Sequence, residues 1–303
     1  MKTVLCVCTY RRPEGLRKLL ESLTTLSGTD GMQIVVVDNH ADGDGAAVCQ
    51  QLPGDYPFKV YASIEPQAGI SPARNKAVNT ALALNPTFLA FLDDDELPST
   101  DWLSELLRVQ SSTGADVVGG PTLSEFPPDV DESVKQNPYF GADLSIADMA
   151  PCQLQAAGNF LIKAEIIAPL APAFFHPAFA QSGGEDLAFF TQLAKHGASM
   201  HWAANAVVFE AVPPSRLTQS WMKSRVVNIA NSRVRVMQML EPGLKPALVR
   251  GAKTVALGSV AGIQSLCALI VPKMREPARM MRWKFWGKLS AHLRMATTRG
   301  EGH

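Results

Sequence analysis

The chain has 303 residues, 47% apolar and 18% charged, with 28 basic and 28 acidic side chains. That length allows one large domain or two modest ones around a buried core. The composition excludes an intrinsically disordered chain, a collagen and a protein of many membrane spans. A net charge of zero gives no reason to expect nucleic acid as a partner, and nothing in the sequence sets an oligomeric state.

The zero hides a split. Residues 1–244 carry 17 Lys and Arg against 26 Asp and Glu, whereas residues 245–303 carry 11 against 2. Such asymmetry separates a catalytic body from a segment that meets something anionic. The five cysteines are odd in number and form no CxxC pair, which argues against a disulfide framework or a zinc ribbon. The histidines show no metal-ligand spacing. Met1-Lys2-Thr3 leads directly into an apolar run of strand length, with no signal peptide, so the catalytic part is expected in the cytosol.

Val4-Leu5-Cys6-Val7-Cys8 reads as a buried strand that runs into Thr9-Tyr10-Arg11-Arg12-Pro13. Pro13 suits a first helical turn, and Leu16, Leu19, Leu20 and Leu23 recur at helical spacing over 14–26. Ile34-Val35-Val36-Val37 is a second strand ending at Asp38-Asn39, and Lys59-Val60-Tyr61 begins a third. Residues 72–84 read as a helix with Ala73, Ala77 and Ala81 on one face. Phe88-Leu89-Ala90-Phe91-Leu92 is a fully apolar strand that stops at three aspartates. Alternating strands and helices predict an α/β fold, a doubly wound and mostly parallel sheet flanked by helices. Ligands in such sheets gather at the carboxyl ends of strands, where Thr9, Asp38 and Asp93 all fall.

The proline-rich stretch 121–151 reads as an irregular loop over the site. Beyond it come Gly158-Asn159-Phe160, then Gly183-Gly184-Glu185-Asp186 opening a helix through His196. A strand at 206–210 and a long basic-faced helix at 215–240 follow. Lys253 to Pro272 bounds an uncharged run at the lower edge of the length that spans a bilayer. Gln264, two glycines and several hydroxyl side chains weaken a spanning assignment. Met280, Trp283, Phe285 and Trp286 then interleave with Arg279, Arg282, Lys284 and Lys288, as in an interfacial helix on anionic lipid. The expected division is therefore a catalytic domain over 1–240 and a basic, apolar helical extension over 241–303 that associates with a membrane.

Asp93-Asp94-Asp95 closes a strand buried on both faces, which delivers its last residues to the sheet rim rather than to an arbitrary loop. Adjacent carboxylates repel, and a divalent cation holds them together economically. Asp93 and Asp95 point to one side of an extended chain and Asp94 to the other. Asp95 is thus expected to bind Mg²⁺ or Mn²⁺ and Asp93 a sugar hydroxyl, the shell being completed by diphosphate oxygens.

Five segments occur in order over residues 4–215: Thr9-Tyr10-Arg11-Arg12, Val37-Asp38-Asn39, Gly69-Ile70-Ser71-Pro72-Ala73-Arg74-Asn75, Phe91-Leu92-Asp93-Asp94-Asp95 and Gly184-Glu185-Asp186. Together they resemble the motifs of family 2 glycosyltransferases with the GT-A fold. The Thr9 to Arg12 opening and the run from Glu210 through Pro213-Pro214 to Arg216 look closest to bacterial exopolysaccharide transferases of the succinoglycan type.

The resemblance implies that Thr9 and Arg11 wrap the nucleotide and that Asp38 accepts a hydrogen bond from a base N–H. It gives Arg74, Asn75, Asp93 and Asp94 to the nucleotide sugar. Asp93 and Asp95 form the metal pair, with Glu210 a further candidate ligand because it stands where many relatives carry a histidine. Asp186, beside Glu185, is the implied general base, although two acids at a helix N-terminus also suit the macrodipole without any catalysis. Gly158 and Asn159 fall in the stretch that lines the sugar and acceptor pocket.

One base without a second nucleophile implies direct, inverting transfer from a nucleotide-diphosphate sugar, taken as UDP-linked, to a hydroxyl of a saccharide or lipid-linked saccharide at the cytoplasmic face of the inner membrane. No Gln-x-x-Arg-Trp sequence is present, which favours single addition over processive synthesis. Two alternatives remain at this level. One is sugar nucleotidyl transfer, disfavoured because Cys8-Thr9-Tyr10-Arg11 lacks the glycines of its phosphate loop; the other is a non-catalytic scaffold that binds a nucleotide sugar.

Overall fold

The structure is a computed structural model that describes residues 2–140 and 144–295. The expected loop over 121–151 and the expected C-terminal extension each fall partly outside the described residues. The chain divides into two compact units. The first comprises residues 1–180 and 189–212, and the second residues 181–188 and 213–303. The expected boundary at residue 240 falls inside the second.

In chain order the first unit begins with β1 (Thr3–Thr9), α1 (Pro13–Leu23), β2 (Gln33–Asp38), α2 (Asp44–Gln50) and β3 (Lys59–Ile64). It continues with α3 (Ile70–Leu82), β4 (Phe88–Asp93), β5 (Glu96–Pro98), α4 (Trp102–Thr113), β6 (Val117–Gly119) and β7 (Thr122–Glu125). The short α5 (Glu132–Lys135), β8 (Phe160–Lys163), α6 (Ala164–Ile167), α7 (Glu185–Lys195), β9 (Met200–Trp202) and β10 (Val208–Ala211) follow, the first turn of α7 grouping with the second unit.

Seven strands form one sheet in the order β3-β2-β1-β4-β8-β6-β9. It is mostly parallel, as read from the alternating elements, but β8 runs antiparallel between β4 and β6. Because β1 is buried on both faces, its residues alternate between two cores. Leu5 and Val7 face Leu16, Leu19 and Leu20 of α1 and Trp102 of α4. Val4 and Cys6 face Ala73, Ala77 and Val78 of α3 together with a cluster of phenylalanines. The stretch expected to be an irregular loop instead supplies β7, which joins β5 and β10 in a small second sheet.

The second unit contains α8 (Gln219–Leu240), α9 (Leu244–Ile270) and α10 (Arg275–His292). The Thr218 hydroxyl caps α8, accepting the Trp221 N–H at 3.2 Å. The α10 helix packs on both α8 and α9. Gly287 permits the α8 contact, since a Cβ there would meet the backbone of Val227. Asn231 donates to the Ser290 hydroxyl at 2.9 Å in the same interface.

Candidate active site

Parallel pairing of β1 with both β2 and β4 brings three strand ends to one rim: Thr9 lies beside Asp38, and Cys8 beside Asp93. The loop after β1 then turns sharply. Arg11 adopts a left-handed backbone with φ of 54°. Its guanidinium lies over the Tyr10 ring, which meets His40 edge-on.

The three aspartates are held by this loop and by α3. The Thr9 hydroxyl donates to Asp94 at 2.7 Å, and Arg12 donates to Asp94 at 3.1 Å and to Asp95 at 2.6 Å. Arg74 donates to Asp93 at 3.2 Å while its guanidinium packs over the Phe175 ring. Asp94 is buried, whereas Asp93 and Asp95 present part of their carboxylates to solvent. Two arginines thus engage the three carboxylates at the end of β4.

Burial is the main influence on Asp94 and pushes its carboxyl up to about 6, against the pull of Arg12 and the Thr9 hydroxyl. The sign follows from linkage. The folded chain holds this proton more tightly than the unfolded chain, so the contribution is fully present below about pH 4 and is lost as pH rises through about 6. The difference is on the order of 3 kcal/mol. Relative to wild type, Asp94→Asn is therefore expected to gain stability between pH 4 and pH 7, read as the gap between their Tm curves in metal-free buffer. Parallel curves would contradict the burial argument.

A fourth acid lies behind the triplet. Glu96 is buried; it accepts the Asp93 backbone N–H at 2.9 Å and the Thr122 hydroxyl at 3.2 Å. Across the small sheet it pairs in register with Glu210. Burial, and then the charge of Asp93, raise its pKa well above the carboxylate range. Gly158 lies directly on this carboxylate, where a Cβ would collide with Oε1.

Several expected ligand-binding side chains turn out to hold the framework. Asp38 is 1% exposed. It accepts the backbone N–H groups of His40 at 2.9 Å, Gly45 at 2.7 Å and Ala46 at 3.3 Å, fastening the start of α2. Asn39 bridges to Glu65, Gln67 and Gly69. Both ends of the Asn75 amide bond the backbone of Phe175, at 2.9 and 2.7 Å. Asn75 also borders a cavity of about 420 Å³ alongside Glu65, Lys76 and Asn79, the only one of the expected site residues to do so. Asn159 accepts from the Trp102 indole at 2.7 Å and donates to the carbonyls of Pro121 at 3.0 Å and Ala206 at 2.8 Å. Removing that amide strips the buried Trp102 indole N–H and the Ala206 carbonyl of this partner, whereas the Pro121 carbonyl keeps the Val208 N–H at 3.0 Å, so Asn159→Ala is expected to cost about 3 kcal/mol in urea unfolding. A loss below about 0.5 kcal/mol would show that the amide is dispensable.

Sequence reasoning missed Arg12 and Glu96 as site residues. Arg12 lay in a quoted motif beside Arg11, and Glu96 directly follows the triplet, but only the turn of the loop and the strand register show where they point. Glu185 and Asp186 open α7 after Gly183 and Gly184, both of positive φ, and belong to the second unit.

Among the described residues no group of three or more His, Cys, Asp or Glu could hold a metal ion unaided. Asp93 and Asp95 carry the hard carboxylate oxygens that a divalent ion takes, and in this structure those oxygens are engaged by Arg74 and Arg12.

The fold is that of the GT-A class of glycosyltransferases. The glycosyl transferase family 2 model matches residues 4–169, and the chain belongs to that family, whose members use a nucleotide sugar as donor. The succinoglycan biosynthesis protein ExoM of Rhizobium meliloti is 31% identical over 253 residues, 82% of this chain and 80% of that protein. The glycosyltransferase AglE of Haloferax volcanii is 28% identical over 119 residues, 39% of this chain and 38% of its own. Two solved structures share the fold. The mannosyltransferase PcManGT from Pyrobaculum calidifontis, in complex with GDP-Man and Mn²⁺, superposes with a TM-score of 0.65 at 17% identity, over 96% of this chain and 87% of that one. Staphylococcus aureus TarS 1–349 in complex with UDP gives 0.54 at 14% identity, over 97% and 92%. Family membership sets aside nucleotidyl transfer.

Proposed function

We propose that the enzyme transfers one sugar, with inversion, from a UDP-linked donor to a hydroxyl of a saccharide or lipid-linked saccharide in bacterial exopolysaccharide synthesis. The observation that carries this reading is the delivery of Asp93, Asp94 and Asp95 to the rim beside the Thr9–Arg12 loop, with Arg12 and Arg74 already on their carboxylates. The likeness to ExoM over most of both chains supports the pathway class.

In this proposal Thr9 and Arg11 contact the nucleotide, while Asp38 fastens the start of α2 and Asn75 the backbone of Phe175. Asp93 and Asp95 would hold Mg²⁺ or Mn²⁺, which when bound would supply positive charge to the departing diphosphate. Arg12 and Arg74 add fixed cations near the same leaving group, the kind of preorganised stabilisation that dominates many transfers. Asp186 accepts the proton of the acceptor hydroxyl as its oxygen bonds to the anomeric carbon, and the bond from that carbon to the diphosphate breaks on the opposite face. Glu185 stands beside it in the first turn of α7. Glu210, opposite Glu96, remains a candidate further oxygen ligand.

The enzyme works in the cytoplasm with residues 241–303 at the inner membrane. The test is a donor screen with UDP-glucose, UDP-galactose, UDP-N-acetylglucosamine and GDP-mannose, followed by NMR of the product. A UDP-sugar that binds and yields a β-linked product from an α-linked donor is the expected result. Retention of the α configuration, or binding of GDP-mannose alone, would contradict it.

A further inference from the structure

The outward face of a helix in a water-soluble bundle is normally polar. That of α9 is not. No charged residue lies between Lys253 and Lys273, and Val255, Ile263, Leu266 and Ile270 are all exposed, Ile270 to 85%. The other side of the helix is occupied. Thr254, Ala261 and Ala268 are buried at intervals of seven residues, as along a coiled-coil seam. Thr254 Oγ1 lies 3.1 Å from His292 Nε2, Phe285 covers Gly258, and Arg282 donates to the Ser265 hydroxyl at 2.9 Å.

By length and composition α9 could cross a bilayer, its uncharged run measuring about 27 Å. Its packing argues otherwise. The α10 helix runs back along it, and Arg282 meets Ser265 well inside the uncharged stretch. Crossing would draw Arg279, Arg282, Lys284 and Lys288 into hydrocarbon, where each ionic side chain is costly. Detaching α10 instead would break the seam and its polar bonds.

We propose that α9 lies flat in an anionic membrane surface and does not span it. The row Val255, Ile263, Leu266 and Ile270 enters the acyl layer, while Lys253, Lys273 and the cations of α10 sit at headgroup level. Trp286, half exposed on α10, suits that depth. Charge selects the occupant. With 11 basic residues against 2 acidic ones in 245–303, a second copy would oppose like charges across the contact, whereas anionic headgroups complement them. The inference deepens the membrane address proposed above and does not depend on the transfer chemistry.

The test is flotation of the full chain with vesicles of phosphatidylcholine and phosphatidylglycerol at 7:3, against phosphatidylcholine alone, in about 150 mM salt, where exposed charges still act over a Debye length. Binding to the anionic vesicles at least tenfold tighter than to the neutral ones, with release in carbonate at pH 11, is expected. The double variant Ile263→Asp, Leu266→Asp should bind at least tenfold more weakly with an unchanged Tm, because both side chains are exposed. No binding to anionic vesicles, or retention through carbonate extraction, would overturn the proposal. So would a wild-type dimer in solution that the double variant dissociates. Donor hydrolysis assayed on the same preparation reports separately on the transferase reading.

Discussion

Asp95→Ala is expected to lower metal-stimulated transfer by at least about 10²-fold while leaving the fold intact. Two effects must be weighed. The substitution removes one end of an ion pair with Arg12, at 2.6 Å and with both side chains 25% exposed. A pair so open to water contributes no more than about 1 kcal/mol. Arg12 also keeps its bond to Asp94 at 3.1 Å, so no buried charge is stranded. The loss should therefore lie in turnover, with Tm nearly unchanged. Full activity of wild type in EDTA, or of the variant with Mn²⁺, would remove the metal assignment.

Asp186→Asn should lower transfer by about 10² to 10⁴-fold, the range a positioned general base supplies, with donor binding retained. The amide cannot take the acceptor proton but preserves shape and the polar start of α7. If the acids there served only the helix macrodipole, the same change would cost less than about 1 kcal/mol of stability and leave kcat alone. The kcat against Tm comparison thus separates catalysis from helix stabilisation. Normal transfer by the variant would place the base elsewhere.

The strands that position the site were legible because they are buried on both faces. β1, β2 and β4 read as unbroken apolar runs, and their polar ends mark the rim. β5, β6, β7 and β9 span three or four residues, too short for any period to show. The reversed direction of β8 is a property of the sheet, not of Phe160-Leu161-Ile162. α4 escaped notice although Trp102, Leu103, Leu106 and Val109 recur at helical spacing and Gly114 closes it with positive φ.

Within the site, sequence located the carboxylates but not their partners. Whether Asp38 faces a ligand or the backbone of Gly45 depends on the path of the next loop, as does the choice between Arg11 and Arg12 as the cation on the triplet. The ordered motifs were nonetheless enough to reach the family that the match over residues 4–169 shows. Gly184-Glu185-Asp186 lies beyond that match.

The central claim is that the strand-end aspartates and a nucleoside diphosphate hold one divalent ion together. Mn²⁺ binding followed by EPR, with and without UDP, tests it most directly. Because no group of three or more His, Cys, Asp or Glu among the described residues could hold a metal ion unaided, Mn²⁺ should bind weakly by itself and at least tenfold more tightly with UDP. Asp95→Ala should abolish that gain. Mn²⁺ affinity indifferent to UDP, or unchanged in the variant, would contradict the account.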